Sequence, residues 1–297
     1  MTQSLSNLVD KLKPFMLDAA AAAIGILADL NKIILIPTGA GTCTLFAKTN
    51  AGMVAALAAA VAGDTVIWDG TIAITSELTI PAGVTLMGWD RDRATLTFAT
   101  AMATWEPITV SAGSTLANCT IGITLSDSIT TMNGIYIAGG RVYDVDVNIL
   151  VTAGGSITNL YGINDTSAGL YGVDYETRCS LENVDMNILL DATATGADNI
   201  EGVNITAHKA DRVLTINNVN SNVRSLNLLG TGVLKGFNIG IVTATTERWI
   251  FSDCHAKVMG TITDAGSSQA FGFYSRGNCE LRDCSGIVKG FFRSPPF

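Results

Sequence analysis

Asp146 and Asp185 occupy the same place in two similar segments, Asp144-Val-Asp-Val-Asn148 and Asn183-Val-Asp-Met-Asn187. In both, apolar residues alternate with polar ones as they do along a strand, so the aspartates and the following Asn148 and Asn187 share the outward face. Stacked as neighbouring strands, the segments bring the two carboxylates to about 4.8 Å. Carboxyls at roughly 5 Å can act as nucleophile and acid of a retaining glycosidase, so Asp146 and Asp185 are the candidate catalytic pair. With amide oxygens beside them they could instead hold Ca²⁺, which takes about six to eight oxygen ligands. Asp and Asn also suit solvated outward positions with no chemistry at all. Arg224 and Lys257 are the basic residues flanking these columns, and no motif makes either a base.

A second group lies in the longest insertion. Tyr161, Tyr171 and Tyr175 offer flat rings, and Asp174 and Glu176 share one side of an extended segment. Sugars stack on such rings while carboxylates accept from their hydroxyls, so these five residues, with Asn148 and Asn187, are the candidate glycan contacts. The same residues would also make an ordinary loop packed by its tyrosines.

A repeat must position both groups. The pattern apolar-x-Asn/Asp-Cys/Val recurs at Leu116–Cys119, Val142–Val145, Leu181–Val184, Ile216–Val219, Phe251–Cys254 and Leu281–Cys284. Between copies stands a Gly followed by an apolar residue, at Gly134, Gly162, Gly202, Gly236 and Gly272. The step from Asn/Asp to Gly is nearly constant, 16 to 19 residues, whereas the return varies from 10 to 21. Fixed half-turns alternating with elastic ones are what a stacked coil gives when insertions are confined to some loops. Asn118, Asp144, Asn183, Asn218, Asp253 and Asp283 then fall at corners, where a short polar side chain tolerates left-handed backbone and bonds its neighbours. The outward columns after the corner read Thr120, Asp146, Asp185, Asn220, His255, Ser285 and Gly122, Asn148, Asn187, Asn222, Lys257, Ile287. Cys119, Cys254 and Cys284 share one register position and read as small buried apolar groups.

Composition narrows the classes. The 297 residues are 48% hydrophobic and 15% charged, too apolar for disorder, and the net charge of -8 argues against nucleic acid as a partner. Six cysteines are too few for a disulfide scaffold of this size, and two histidines lack the spacing of a zinc site. Residues 1–30 read as helix, with an apolar stripe of Leu5, Leu8, Leu12 and Phe15 that must pack on a partner copy or back on its own chain. Neither a signal peptide nor a membrane span is expected, because Asp18 interrupts the apolar run. Residues 31–50 suggest a short strand pair, and 51–62 a second helix ending at Gly63.

That Ala-rich helix runs into Gly63-Asp-Thr-Val66, and then into Leu78-Thr-Ile-Pro-Ala-Gly-Val-Thr-Leu-Met-Gly88. This opening resembles right-handed parallel β-helix proteins of the pectate-lyase-like class, over about residues 51 to 290, in particular phage tailspike- and tail-fibre-like proteins; it is specific for the fold only, since polysaccharide lyases, glycoside hydrolases and adhesins share it. The resemblance implies an all-β solenoid with a capping helix, residues 1–50 forming an attachment and oligomerisation segment and 51–297 the β-helix. It also implies outward carboxylates able to bind calcium in the lyases, which use a basic residue to take the proton alpha to a uronate carboxylate. The function expected is a virion structural or receptor-binding protein, a homotrimer held to other virion proteins and presented to a cell-surface glycan. The alternatives are a polysaccharide lyase or glycoside hydrolase acting on an acidic polysaccharide, and an extracellular adhesin or filament protein. No cofactor is expected apart from that calcium, and no membrane insertion.

Overall fold

The computed structural model describes residues 32–39, 41–99, 104–126, 128–152, 156–165, 181–191, 195–205, 213–228, 232–240, 248–262, 269–275 and 279–292. The 1–30 helix, and Tyr171, Asp174, Tyr175 and Glu176, lie outside the described residues. The chain is mostly β, and successive strands shuttle between two sheets. Thr115–Leu125, Arg141–Val151, Leu181–Leu190 and Val213–Leu228 belong to the first, and Ile129–Ile137, Ser156–Asp165, Thr195–Ile205 and Val233–Ile239 to the second. Each returning strand pairs in parallel with the one a repeat earlier, giving a solenoid-like stack of rungs.

The exceptions come early. Lys32–Ile36 pairs antiparallel with Thr44–Ala47 and with Thr65–Trp68, which is the short strand pair expected from the sequence. The helix Asn50–Ala59 comes next, with Thr49 as N-cap accepting from the Gly52 N–H at 3.1 Å. Its Met53, Ala56 and Leu57 are buried on the main core. Among the described residues no helix is long and apolar enough to cross a membrane.

The first sheet bends at the repeated Asn/Asp. Asn118, Asp144, Asn183, Asn218, Asp253 and Asp283 all have φ between 49° and 53°, and they are the only non-glycine residues with positive φ among those described. Left-handed backbone crowds an ordinary Cβ, and Asn and Asp offset this by bonding locally. The Asn218 Nδ2 donates to Asn183 Oδ1 at 2.8 Å, and Asn183 Nδ2 to Asp144 Oδ1 at 3.0 Å. At the first corner Asn118 Nδ2 donates to the carbonyls of Gly88 and Trp89. The corner residues thereby share one backbone conformation from rung to rung, and the residues after them keep their register.

The core consists of columns running up the stack. Cys119, Val145, Val184, Val219 and Cys254 form one, all fully buried. The sizes of facing columns compensate. Where the first sheet shrinks from Met186 to Ser221 and Ala256, the second grows from Ile163 and Val203 to Phe237 and Phe273. Phe237 stacks on Phe273 with centroids 4.7 Å apart and meets Phe251 edge-on at 5.8 Å.

Candidate functional site

On the outer face of the first sheet the expected columns are in register. Asp146 pairs with Asp185, flanked by Thr120 and Asn220, and Asn148 pairs with Asn187. The amides form a ladder, Asn187 Nδ2 donating to Asn148 Oδ1 at 3.1 Å and Asn222 Nδ2 to Asn187 Oδ1 at 3.3 Å. The composition of Asp90–Arg93 predicts a salt-bridged exposed corner; in the structure its Arg91 reaches over the aspartates. One guanidinium nitrogen, Arg91 Nη2, donates to Asp146 Oδ1 and to Asp185 Oδ2, the latter at 2.5 Å. Asn220 Nδ2 donates to the other Asp185 oxygen at 2.7 Å, and Thr120 Oγ1 holds the Arg91 carbonyl at 2.9 Å. Burial works against the Arg91 charge, but the two carboxylates outweigh it and hold the guanidinium protonated more firmly than usual.

This arrangement limits the chemistry of the pair. A retaining glycosidase needs one carboxyl to donate a proton, and here both carboxylates accept from Arg91. Calcium would have to displace a cation that the chain already supplies, so the donor set does not fit the metal as arranged. Among the described residues no group of three or more His, Cys, Asp and Glu could hold a metal ion.

The second sheet carries the richer constellation, which sequence reasoning passed over apart from Tyr161. Its glycines stack in register, as the pairs flanking them show. A Cβ at Gly134, Gly202 or Gly236 would lie 2.6 to 2.8 Å from the carbonyl of the glycine on the next rung. On the inner side it would press into the first sheet, on Met186 from Gly162, Ser221 from Gly202 and Ala256 from Gly236. Only glycine lets the second sheet dip this far toward the first. The apolar residues on either side, such as Leu160 and Ile163 or Ile200 and Val203, both face the core. The residue just before each glycine and the second residue after it therefore both face outward, and they lean together across the dip.

The result is a groove with a floor of amides. Asn164 Nδ2 donates to Asn133 Oδ1 at 2.9 Å, Asn204 to Asn164 at 2.9 Å, and Asn238 to Asn204 at 3.0 Å. In its middle lies Glu201, only 1% exposed. Its Oε1 accepts from Lys235 Nζ at 2.8 Å and Asn199 Nδ2 at 3.0 Å, and its Oε2 from Asn238 Nδ2 at 2.8 Å. Lys235 also sits 4.8 Å from the centre of the Tyr274 ring, and Phe271 packs beside that ring at 5.0 Å. One rung away from Glu201, Tyr161 is half-buried. Its phenol is pushed above the ordinary tyrosine range, first by burial and then by the Glu201 charge, against a hydrogen bond with Asn199.

Of the residues expected from the sequence, Asp146, Asp185, Asn148 and Asn187 are therefore brought together on one face, and Tyr161 is placed on the other sheet, in the groove. The missed residues had a signal. Asn recurs two places after the glycine in Gly162-Ile-Asn164, Gly202-Val-Asn204 and Gly236-Phe-Asn238. Comparison with protein-family models, with curated proteins and with solved structures gives no match.

Proposed function

We propose that the chain is a right-handed parallel β-helix serving as a virion structural and receptor-binding protein, in the manner of a phage tailspike, tail fibre or capsid-attached spike. It holds the groove of its second sheet against a host surface glycan and assembles as a homotrimer through the apolar stripe of residues 1–30. The observation carrying this reading is the groove itself: a run of amides with half-buried Tyr136, Tyr161 and Tyr274 beside it. Amides both donate to and accept from sugar hydroxyls, and rings cover the apolar faces of sugars. Glu201 and Lys235 neutralise each other, so the groove favours a glycan that is itself weakly charged. A lyase would need an acidic polysaccharide and a free base, and the Arg91 clamp counts against the aspartate pair as the acid and nucleophile of a hydrolase.

The test is to expose the full chain to neutral and acidic surface glycans, reading binding by calorimetry, sugar release by chromatography and mass by light scattering. A trimer that binds a neutral glycan without releasing sugar, and loses binding in Tyr161→Ala, is the expected result. Release of sugar that stops in Asp146→Asn and Asp185→Asn would replace this reading with the enzymatic one. A folded protein that binds no glycan would remove the attachment role. Deletion of residues 1–30 should dissociate the trimer, and a deletion variant that remains trimeric would refute that mode of assembly.

A further inference from the structure

We propose that Cys254 and Cys284 form a disulfide when the protein meets a small-molecule disulfide oxidant, making the pair a modification site that ties the rung Cys279–Phe292 to its neighbour. The inference is independent of the glycan reading.

The two cysteines follow equivalent corners, Asp253 with φ 52° and Asp283 with φ 51°. The pairs on either side, Ser252 with Arg282 and His255 with Ser285, place them directly above one another. The Ser285 N–H donates to the Cys254 carbonyl at 3.1 Å, so no residue intervenes. Neighbouring strands are about 4.8 Å apart, inside the Cα separation of roughly 4.4 to 6.8 Å that a disulfide spans, and the bridge draws the two β-carbons together to roughly 3.5 to 4.5 Å. The sulfurs point the same way. Cys254 Sγ lies 3.3 Å from the Ser252 carbonyl and Cys284 Sγ 3.1 Å from the equivalent Arg282 carbonyl. Cys284 Sγ also reaches down to the Phe251 carbonyl, on the rung of Cys254, at 3.3 Å. Cys254 Sγ reaches down to the Ile216 carbonyl in the same way at 3.7 Å, so the two sulfurs sit alike one rung apart. The third cysteine of the column, Cys119, has Val145 above it and supplies an internal control.

Access sets the order of events. Cys284 is half-buried and Cys254 fully buried, so the oxidant meets Cys284 first. The Cys284 thiolate attacks oxidised glutathione, forming a mixed disulfide and releasing one glutathione thiolate. Cys254 then gives up its proton, its sulfur attacks the Cys284 sulfur, and the second glutathione leaves. Two protein thiols lose two electrons, and one glutathione disulfide becomes two thiols. Burial pushes the Cys254 thiol up to about 12, so the second step should quicken as pH rises.

The experiment treats the full chain with oxidised glutathione and reads non-reducing peptide maps, intact mass and the melting midpoint. The expected result is a linked peptide pair containing Cys254 and Cys284, a loss of two hydrogen masses, and a higher midpoint that reductant reverses. Cys254→Val and Cys284→Val should lose both effects while Cys119→Val keeps them. Valine already fills this column at Val145, Val184 and Val219, so the variants retain the packing. Glutathione left on Cys284 in the unmutated chain, or a bridge from Cys284 to Cys279 or Cys43, would overturn the proposal.

Discussion

Replacing Glu201 by Gln keeps the shape of the side chain and removes its charge, which leaves Lys235 without a counterion at the centre of the groove. Removing one partner of a buried ion pair costs about 3–5 kcal/mol. The Lys235 side chain is 12% exposed and lies over the Tyr274 ring, so it can turn its head toward water and keep part of its cation–π contact. The expected loss for Glu201→Gln is therefore lower, about 2–3 kcal/mol. Lys235→Met strands a carboxylate that is 1% exposed and keeps only the Asn199 and Asn238 donors, so it should cost the full amount, about 3–5 kcal/mol. In Glu201→Gln with Lys235→Met neither charge remains, and the combined loss should fall to about 1 kcal/mol. Urea unfolding monitored by far-UV circular dichroism on the four proteins closes the cycle. A double variant whose loss equals the sum of the two single losses would show that the residues do not act on each other, and would refute the account of a desolvated, mutually neutralised groove centre.

Asn183→Ala should cost about 2–3 kcal/mol, because it removes two ladder hydrogen bonds and leaves a Cβ residue at φ 53°. Asn183→Gly should cost clearly less, and the order of their urea midpoints checks that backbone conformation is the main term. Gly202→Ala drives a methyl into Ser221 and the Gly236 carbonyl and should lower the melting midpoint more than Gly122→Ala, whose Cβ meets only ordinary contacts at 3.7 Å and beyond. Arg91→Gln leaves Asp146 and Asp185 facing each other without their cation, so the melting midpoint should fall, recover partly in high salt, and recover again when Asp185→Asn is added. Tyr161 holds its proton more tightly folded than unfolded, so its contribution is complete below the unfolded value near pH 10 and is lost as pH rises through the folded value. Above pH 10 the unmutated chain should lose stability faster than Tyr161→Phe, read by urea midpoints across that range.

The corners were legible because left-handed backbone selects residue type. Few side chains tolerate φ near 50°, so a regularly spaced Asn or Asp announces the turn without any knowledge of the fold. Once the corners are fixed, period two sets the facing of every residue in the strand after each corner, and the columns from Thr120 to Ser285 emerge in the right register. Arg91 was a different matter. Its partners lie 55 and 94 residues away, and the direction in which a short turn throws a long side chain leaves no trace in the local pattern. The composition of Asp90–Arg93 told that charges would pair there, but not that the partners would be the aspartates singled out for chemistry.

The groove was written in the sequence by a break in parity. A flat strand keeps apolar residues two apart, yet Leu160 and Ile163, Ile200 and Val203, and Leu234 and Phe237 stand three apart around a glycine, and all of them are buried. Such spacing inside a strand means that the backbone folds inward between the two apolar residues, so that the polar residues bracketing the glycine emerge on one concave side. Read this way, Tyr161 with Asn164, Glu201 with Asn204, and Lys235 with Asn238 are pairs facing across a furrow, and the bonds from Asn238 to Glu201 and from Asn164 to Asn133 cross it. Glycine is what makes the furrow deep, since a β-carbon there would have to occupy space held by the opposite sheet. The tyrosines, amides and the Glu201–Lys235 pair therefore gather where the glycines bring the two sheets close, and the same repeat that stacks the rungs also lines them up along its length.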